Sequence, residues 1–154
     1  MSVFLTIAEH YAVADAAFVA VEQRAFQDDD DAAFDRAGLA RQHNDQAYFL
    51  YLFSRFEAAV NASSQALLAQ RLASAATWSE RRIWQAWSRV PVPDMAFLSK
   101  VEVLTDKGGQ DYAAIQDYYR GRNTIAHGGA WQAQFFIPDI AETMNGLLLR
   151  FATR

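Results

Sequence analysis

An all-α helical bundle is the fold this sequence of 154 residues predicts, on three observations. Apolar residues recur at spacings of three and four, the signature of helices that bury one face. Only three prolines and seven glycines punctuate the chain, so long stretches run without helix breakers. Where breaks do fall, residues that favour helix caps stand beside them. The expected architecture is two long antiparallel helices with shorter ones packed against them, in a single domain over residues 1–154.

The first helix is expected from Val3 to Gln27, with Phe4, Ile7, Tyr11, Ala14, Phe18 and Val21 as its apolar face. The run Asp28–Asp31 reads as a solvated turn whose last aspartate caps the next helix. A short helix is expected through Leu39. Asn44 or Asp45 then caps the longest helix, Gln46 to Leu72, with a stripe of Phe49, Leu52, Phe53, Phe56, Ala59 and Val60 continued by Leu67 and Leu68. Thr77 and Glu80 have capping-box spacing ahead of a helix ending near Val90, where Pro91 and Pro93 stop it. Asp94 is placed to cap a helix from Met95 to Thr105, which ends at Lys107-Gly108-Gly109. Gln110 or Asp111 opens a helix that reaches Arg122 and extends to about His127, closed by Gly128 and Gly129. Ala130 to Ile137 reads as a loop or brief extended piece. Pro138 sits in the first turn of a last helix running to about Phe151, with Ile140, Met144, Leu147 and Leu148 inside.

Composition narrows the function classes. Half of the chain is apolar, which excludes a disordered tail. With no cysteine, disulfide frameworks, thiolate zinc sites and thiol nucleophiles are excluded. The net charge of −4 provides no global basic field for nucleic acid. Only Lys100 and Lys107 among the 14 basic residues are lysines, and arginine suits fixed, bidentate phosphate contacts. No uninterrupted apolar run approaches ~18 residues. The apolar N-terminus lacks a basic flank and carries Glu9 and Asp15, so a secretory signal is not expected and a cytoplasmic protein without membrane association is. The Asp28–Asp31 run is a poor metal site, because neighbouring side chains on a helix point in different directions; no metal or other cofactor is expected.

Of the three histidines, His10 reads as a partly exposed helix residue and His43 as a loop residue. His127 differs. It closes the stretch Tyr118-Tyr119-Arg120-Gly121-Arg122-Asn123-Thr124-Ile125-Ala126-His127, which crowds arginines, tyrosines, an asparagine and an imidazole at one helix end. Around an unbroken helix Arg122 and His127 differ by ~140°, so they can bracket a groove. Asn123 and His127 are four apart and share a face, as do Tyr119 and Asn123. An arginine holds phosphate oxygens or stabilises charge on pentavalent phosphorus. An imidazole, with an ordinary pKa of ~6.5, moves protons near neutral pH. These parts serve metal-independent RNA cleavage, in which the substrate's own 2′-OH is the nucleophile. They also serve as helix-end cations that complement the macrodipole.

At Arg122-Asn123-Thr124-Ile125-Ala126-His127 the sequence resembles the HEPN superfamily. Ribonuclease members of that family are helical bundles carrying an arginine, a polar residue directly after it (often asparagine), and a histidine a few positions on. Phe53-Ser54-Arg55-Phe56-Glu57-Ala58-Ala59-Val60 is similar to the long helix of small prokaryotic members. The likeness runs over roughly residues 45–150, with the N-terminal helix added. It implies a homodimeric endoribonuclease in a toxin–antitoxin or phage-defence setting, with two motifs facing each other and an antitoxin protein as a possible partner. Arg122, Asn123 and His127 would be catalytic. Arg120 and Tyr119 would contact RNA, and Glu57 would orient His127 or pair with Arg122. One departure stands out: many toxin members carry a tyrosine two residues after the histidine, where this chain has Gly129, so regulation through that tyrosine is not implied.

Arg81-Arg82-Ile83-Trp84-Gln85-Ala86-Trp87 interleaves cations with aromatics. It reads either as a secondary RNA contact through Arg81 and Arg82, or as core tryptophans beneath a solvated arginine face. The alternative to a nuclease is a non-catalytic helical dimer that uses the same cleft to bind a nucleotide or a partner protein.

Overall fold

The computed structural model describes residues 2–129 and 136–153. Six α-helices make up the described residues, with no strand among them, and the architecture is an all-α bundle. They are α1 (Val3–Gln27), α2 (Asp31–Ser74), α3 (Trp78–Trp87), α4 (Phe97–Leu104), α5 (Gln110–Ala126) and α6 (Ile137–Phe151). A single 3₁₀ turn, Val92–Asp94, precedes α4. The chain divides into two compact units, Met1–Phe53 with Arg122–Asn145, and Ser54–Gly121 with Gly146–Arg154.

In the first unit α1 and the start of α2 form an antiparallel hairpin. Ser2 caps α1 through its hydroxyl. Asp28 closes it, Asp29 takes a left-handed φ of 56°, and Asp30 starts α2 by accepting the Ala33 N–H at 2.9 Å. Aspartate tolerates this geometry because its short side chain bonds locally. All four aspartates are exposed, as the solvated-turn reading expects, although the cap is Asp30 and not Asp31. The helices are tied by Tyr11 Oη donating to Asp45 Oδ1 at 2.8 Å and by Arg41, whose guanidinium holds both Asp15 oxygens at 2.6 and 3.1 Å. Arg41 also reaches Glu22 at 3.3 Å. Phe4, Ile7, Phe49, Leu52 and Phe53 fill the core of this unit together with Ile140 and Met144.

Three expectations need correction here. The short helix and the long helix are one 44-residue α2, so Asn44 and Asp45 cap nothing. Asp45 spends its carboxylate on Tyr11 instead, and no proline interrupts the run. His43 therefore lies inside a helix, exposed, rather than in a loop. Val21 is 55% exposed; the inward position at that level belongs to Glu22, because Arg41 pairs with it.

In the second unit Phe56, Val60, Leu67 and Leu68 of α2 pack with Val101 and Leu104 of α4, Ile115 of α5 and Leu147 and Phe151 of α6 as its core. Ser64, fully buried, donates to the Val60 carbonyl at 2.7 Å and lies 3.1 Å from the Lys100 carbonyl. The Thr77–Glu80 capping box forms as its spacing predicts. Helix α4 starts later than expected, at Phe97 with Ala96 as an N-cap lacking a side-chain bond, because Asp94 is taken into the 3₁₀ turn. Trp84 and Trp87 are half-buried, and no residue of α3 is buried; they are not core residues. The expected loop lies outside the described residues up to 135, and Ile137 already belongs to α6.

By length and composition, α1 is long and apolar enough to cross a membrane, although polar residues interrupt it. Two of its three acidic residues, Asp15 and Glu22, are engaged by Arg41 of α2.

Candidate functional site

Helix α5 carries the arginine–histidine motif, and its end is built by two glycines. Helix α5 stops at Ala126, leaving His127 as the C-cap residue. Gly128 follows at φ 80°, a conformation strained for any residue with a Cβ. Its N–H bonds the Ile125 carbonyl at 3.0 Å, and the Gly129 N–H reaches back to the Thr124 carbonyl at 2.9 Å. These two bonds are the Schellman arrangement, which satisfies carbonyls left over at a helix end. Gly129 is required for a different reason. A Cβ there would come within 2.9 Å of Thr124 Cγ2 and 3.1 Å of its carbonyl oxygen. One glycine supplies the turn and the other the close approach.

The result is a fixed exit for His127. Its N–H bonds the Asn123 carbonyl at 3.1 Å, and its side chain is exposed. Arg122 and Asn123 are half-buried, and Arg122 Nη1 donates to Asn123 Oδ1 at 3.0 Å. Among the described residues Arg122 has no carboxylate partner. A cation fixed by a neutral amide keeps its charge for an anion, since no internal carboxylate must be displaced first. Asn123 thus bonds the arginine side chain directly and the His127 backbone through its carbonyl. The three residues assigned catalytic roles from sequence are in one unit and joined by hydrogen bonds.

The other candidates belong to the second unit. The Tyr119 ring stacks on Phe97 with centroids 5.0 Å apart. Arg120 pairs with Asp117 at 3.2 Å, both exposed. Glu57 is half-buried on α2, in the second unit. Arg81 and Arg82 are exposed on α3, and the Arg82 guanidinium lies over the Trp78 ring at 5.2 Å. No three carboxylate or imidazole side chains converge as a metal site among the described residues.

Sequence reading missed the Tyr11–Asp45–Arg41–Asp15 cluster. The signal was present as Tyr11 and Asp15 four apart on one helix, and Arg41 and Asp45 four apart on the next. Burial pushes the Asp45 carboxyl above its ordinary range, although the Tyr11 hydrogen bond pulls it down. Burial and the bond to Asp45 hold the Tyr11 hydroxyl protonated well above the usual phenol range. This cluster joins two helices and offers no free nucleophile. No protein-family model, curated protein or solved structure matches this chain.

Proposed function

We propose that this protein is a metal-independent endoribonuclease of HEPN type that acts as a homodimer in the cytoplasm, in a toxin or phage-defence role with an antitoxin protein as its regulator. One observation carries the reading: a helix end pinned by Gly128 and Gly129 presents an exposed imidazole close after an arginine that has no carboxylate partner. In the reaction the RNA 2′-oxygen attacks phosphorus, forming the P–O2′ bond as the P–O5′ bond breaks. His127 moves a proton, taking it from the 2′-OH or delivering it to the departing 5′-oxygen, a contribution of roughly 10²–10⁴-fold. Arg122 stabilises the charge that develops on the phosphoryl oxygens. Asn123 holds the Arg122 guanidinium in place.

The test is an RNA cleavage assay on wild type beside His127→Ala and Arg122→Ala. Both variants should lose cleavage while keeping stability within about 0.5 kcal/mol of wild type, since the motif lies outside the core. Products should end in a 2′,3′-cyclic or 3′-phosphate with a 5′-hydroxyl on the other fragment. Cleavage should persist in EDTA, and DNA should remain uncut. If wild type binds RNA or a nucleotide without cleaving it, the non-catalytic module replaces the nuclease. Activity that vanishes in EDTA and returns with magnesium overturns the proton-transfer reading.

A further inference from the structure

Helix α3 buries none of its residues, and it borders an open groove of about 620 Å³. Ile83 and Trp87, four apart, share the face that lines it. Val90, just past the helix, and Asp94, Met95 and Ser99 complete the lining with their neighbours. The apolar part is open to water, since Ile83 is 56% and Val90 48% exposed. The arginines near α3 do not line the groove. Arg81 precedes Ile83 by two residues and so points to the far side of the helix, and Arg82 is held over Trp78 at 5.2 Å.

Two groups in this lining are uncommitted. The first is Asp94, the one charged residue among the described residues that line the groove. Its N–H bonds the Pro91 carbonyl at 2.9 Å, which fixes its backbone in the 3₁₀ turn. Its exposed carboxylate pairs with no cation among the described residues. Lys100, close by in sequence, gives its ammonium to the Pro93 carbonyl at 3.3 Å instead. The second is the half-buried Trp87 ring. Trp78 and Trp84 each lie beneath a guanidinium, Arg82 at 5.2 Å and Arg71 at 5.9 Å. Trp87 has no such cation among the described residues. A carboxylate and an open indole face are the two groups that recognise an organic cation.

We propose that this groove binds a small primary amine with an aryl or aliphatic body. The ammonium donates to the Asp94 carboxylate and the Ser99 hydroxyl beside the Trp87 ring, and the body lies against Ile83, Val90 and Met95. The volume falls within the roughly 300–1,000 Å³ of small-molecule sites. The eight lining residues fall well short of the roughly 20–30 a side that a standard protein interface uses. The site does not depend on the nuclease reading, because its lining belongs to the second unit and Arg122 and His127 to the first.

The test titrates the full chain at low salt with three probes of one shape and different charge: phenylpropylamine, phenylpropanol and phenylpropanoate. Tryptophan fluorescence and calorimetry follow binding. The amine should saturate with a Kd in the millimolar range, with the alcohol weaker and the carboxylate weakest. Asp94→Asn should weaken the amine about tenfold and leave the alcohol unchanged. Trp87→Phe should remove the fluorescence response and so place the probe in this groove. The three-probe series on wild type needs no variant, so a variant that fails to fold does not decide the matter. Equal binding of amine and carboxylate overturns the proposal, as does an Asp94→Asn protein that binds the amine as wild type does. A response that survives Trp87→Phe, or no saturable binding of the amine, overturns it too.

Discussion

Tyr11 and Asp45 lie 34 residues apart and meet through one 2.8 Å hydrogen bond, and the free energy of that bond depends on pH. Burial raises the Asp45 carboxyl above its ordinary value in the folded protein. The folded state therefore holds this proton more tightly than the unfolded chain does. Stability from this group is fully present below the unfolded carboxylate value and is lost as pH rises through the raised folded value. Asp45→Asn should then equal or exceed wild type in stability at pH 7, by less than about 1 kcal/mol because Asp45 is only partly shielded from solvent. That advantage should vanish in acid below the carboxylate range. Urea unfolding of both proteins across this range checks the sign, and a wild type more stable than the variant at neutral pH would show that Arg41 outweighs burial. Tyr11→Phe removes the donor facing a half-buried carboxylate and should cost about 1–2 kcal/mol at neutral pH. In the Asp45→Asn background the same change should cost less, since the two residues share one interaction.

At the scale of the element, the end of α5 decides where the imidazole sits. Gly128 holds a φ of 80°, which costs a residue with a Cβ roughly 1–2 kcal/mol. Gly128→Val should lower stability by about that amount and lower RNA cleavage by about 10²-fold if His127 shifts by an ångström. Gly128→Asn should retain more of both, because asparagine enters the left-handed region more readily. Thermal melts and cleavage rates on the two variants separate a displaced helix end from an unimportant one. This part of the molecule was legible in the sequence, since paired glycines after a periodic run announce a helix end and Arg122, Asn123 and His127 precede them. The core stripe Phe49, Leu52, Phe53, Phe56 and Val60 was legible too, and all five are buried. The unbroken α2 was not. Asn44 and Asp45 are good cap residues by local rules, and only a partner on another helix, Tyr11, shows that Asp45 is used otherwise. The same limit hid Glu22, whose inward position depends on Arg41. It also hid the open groove lined by Ile83, Trp87 and Met95, because periodicity locates the apolar face of α3 but not whether anything covers it.

For the whole molecule, the decisive quantity is how many arginine–imidazole pairs a reacting phosphate meets. One chain supplies a single pair, Arg122 and His127, whereas the proposed nuclease uses two motifs face to face. Closure of two identical chains about a two-fold axis provides the second without any further sequence. Contacts between exposed opposite charges are screened by salt, with a Debye length of about 3 Å at 1 M. High salt therefore removes incidental charge-driven association. Light scattering near 1 M salt should still give the mass of two chains at micromolar concentration if the motif-bearing faces form the dimer. A single-chain mass in high salt, together with undiminished RNA cleavage, would mean that one Arg122–His127 pair suffices and that the paired-motif arrangement is not how this protein works.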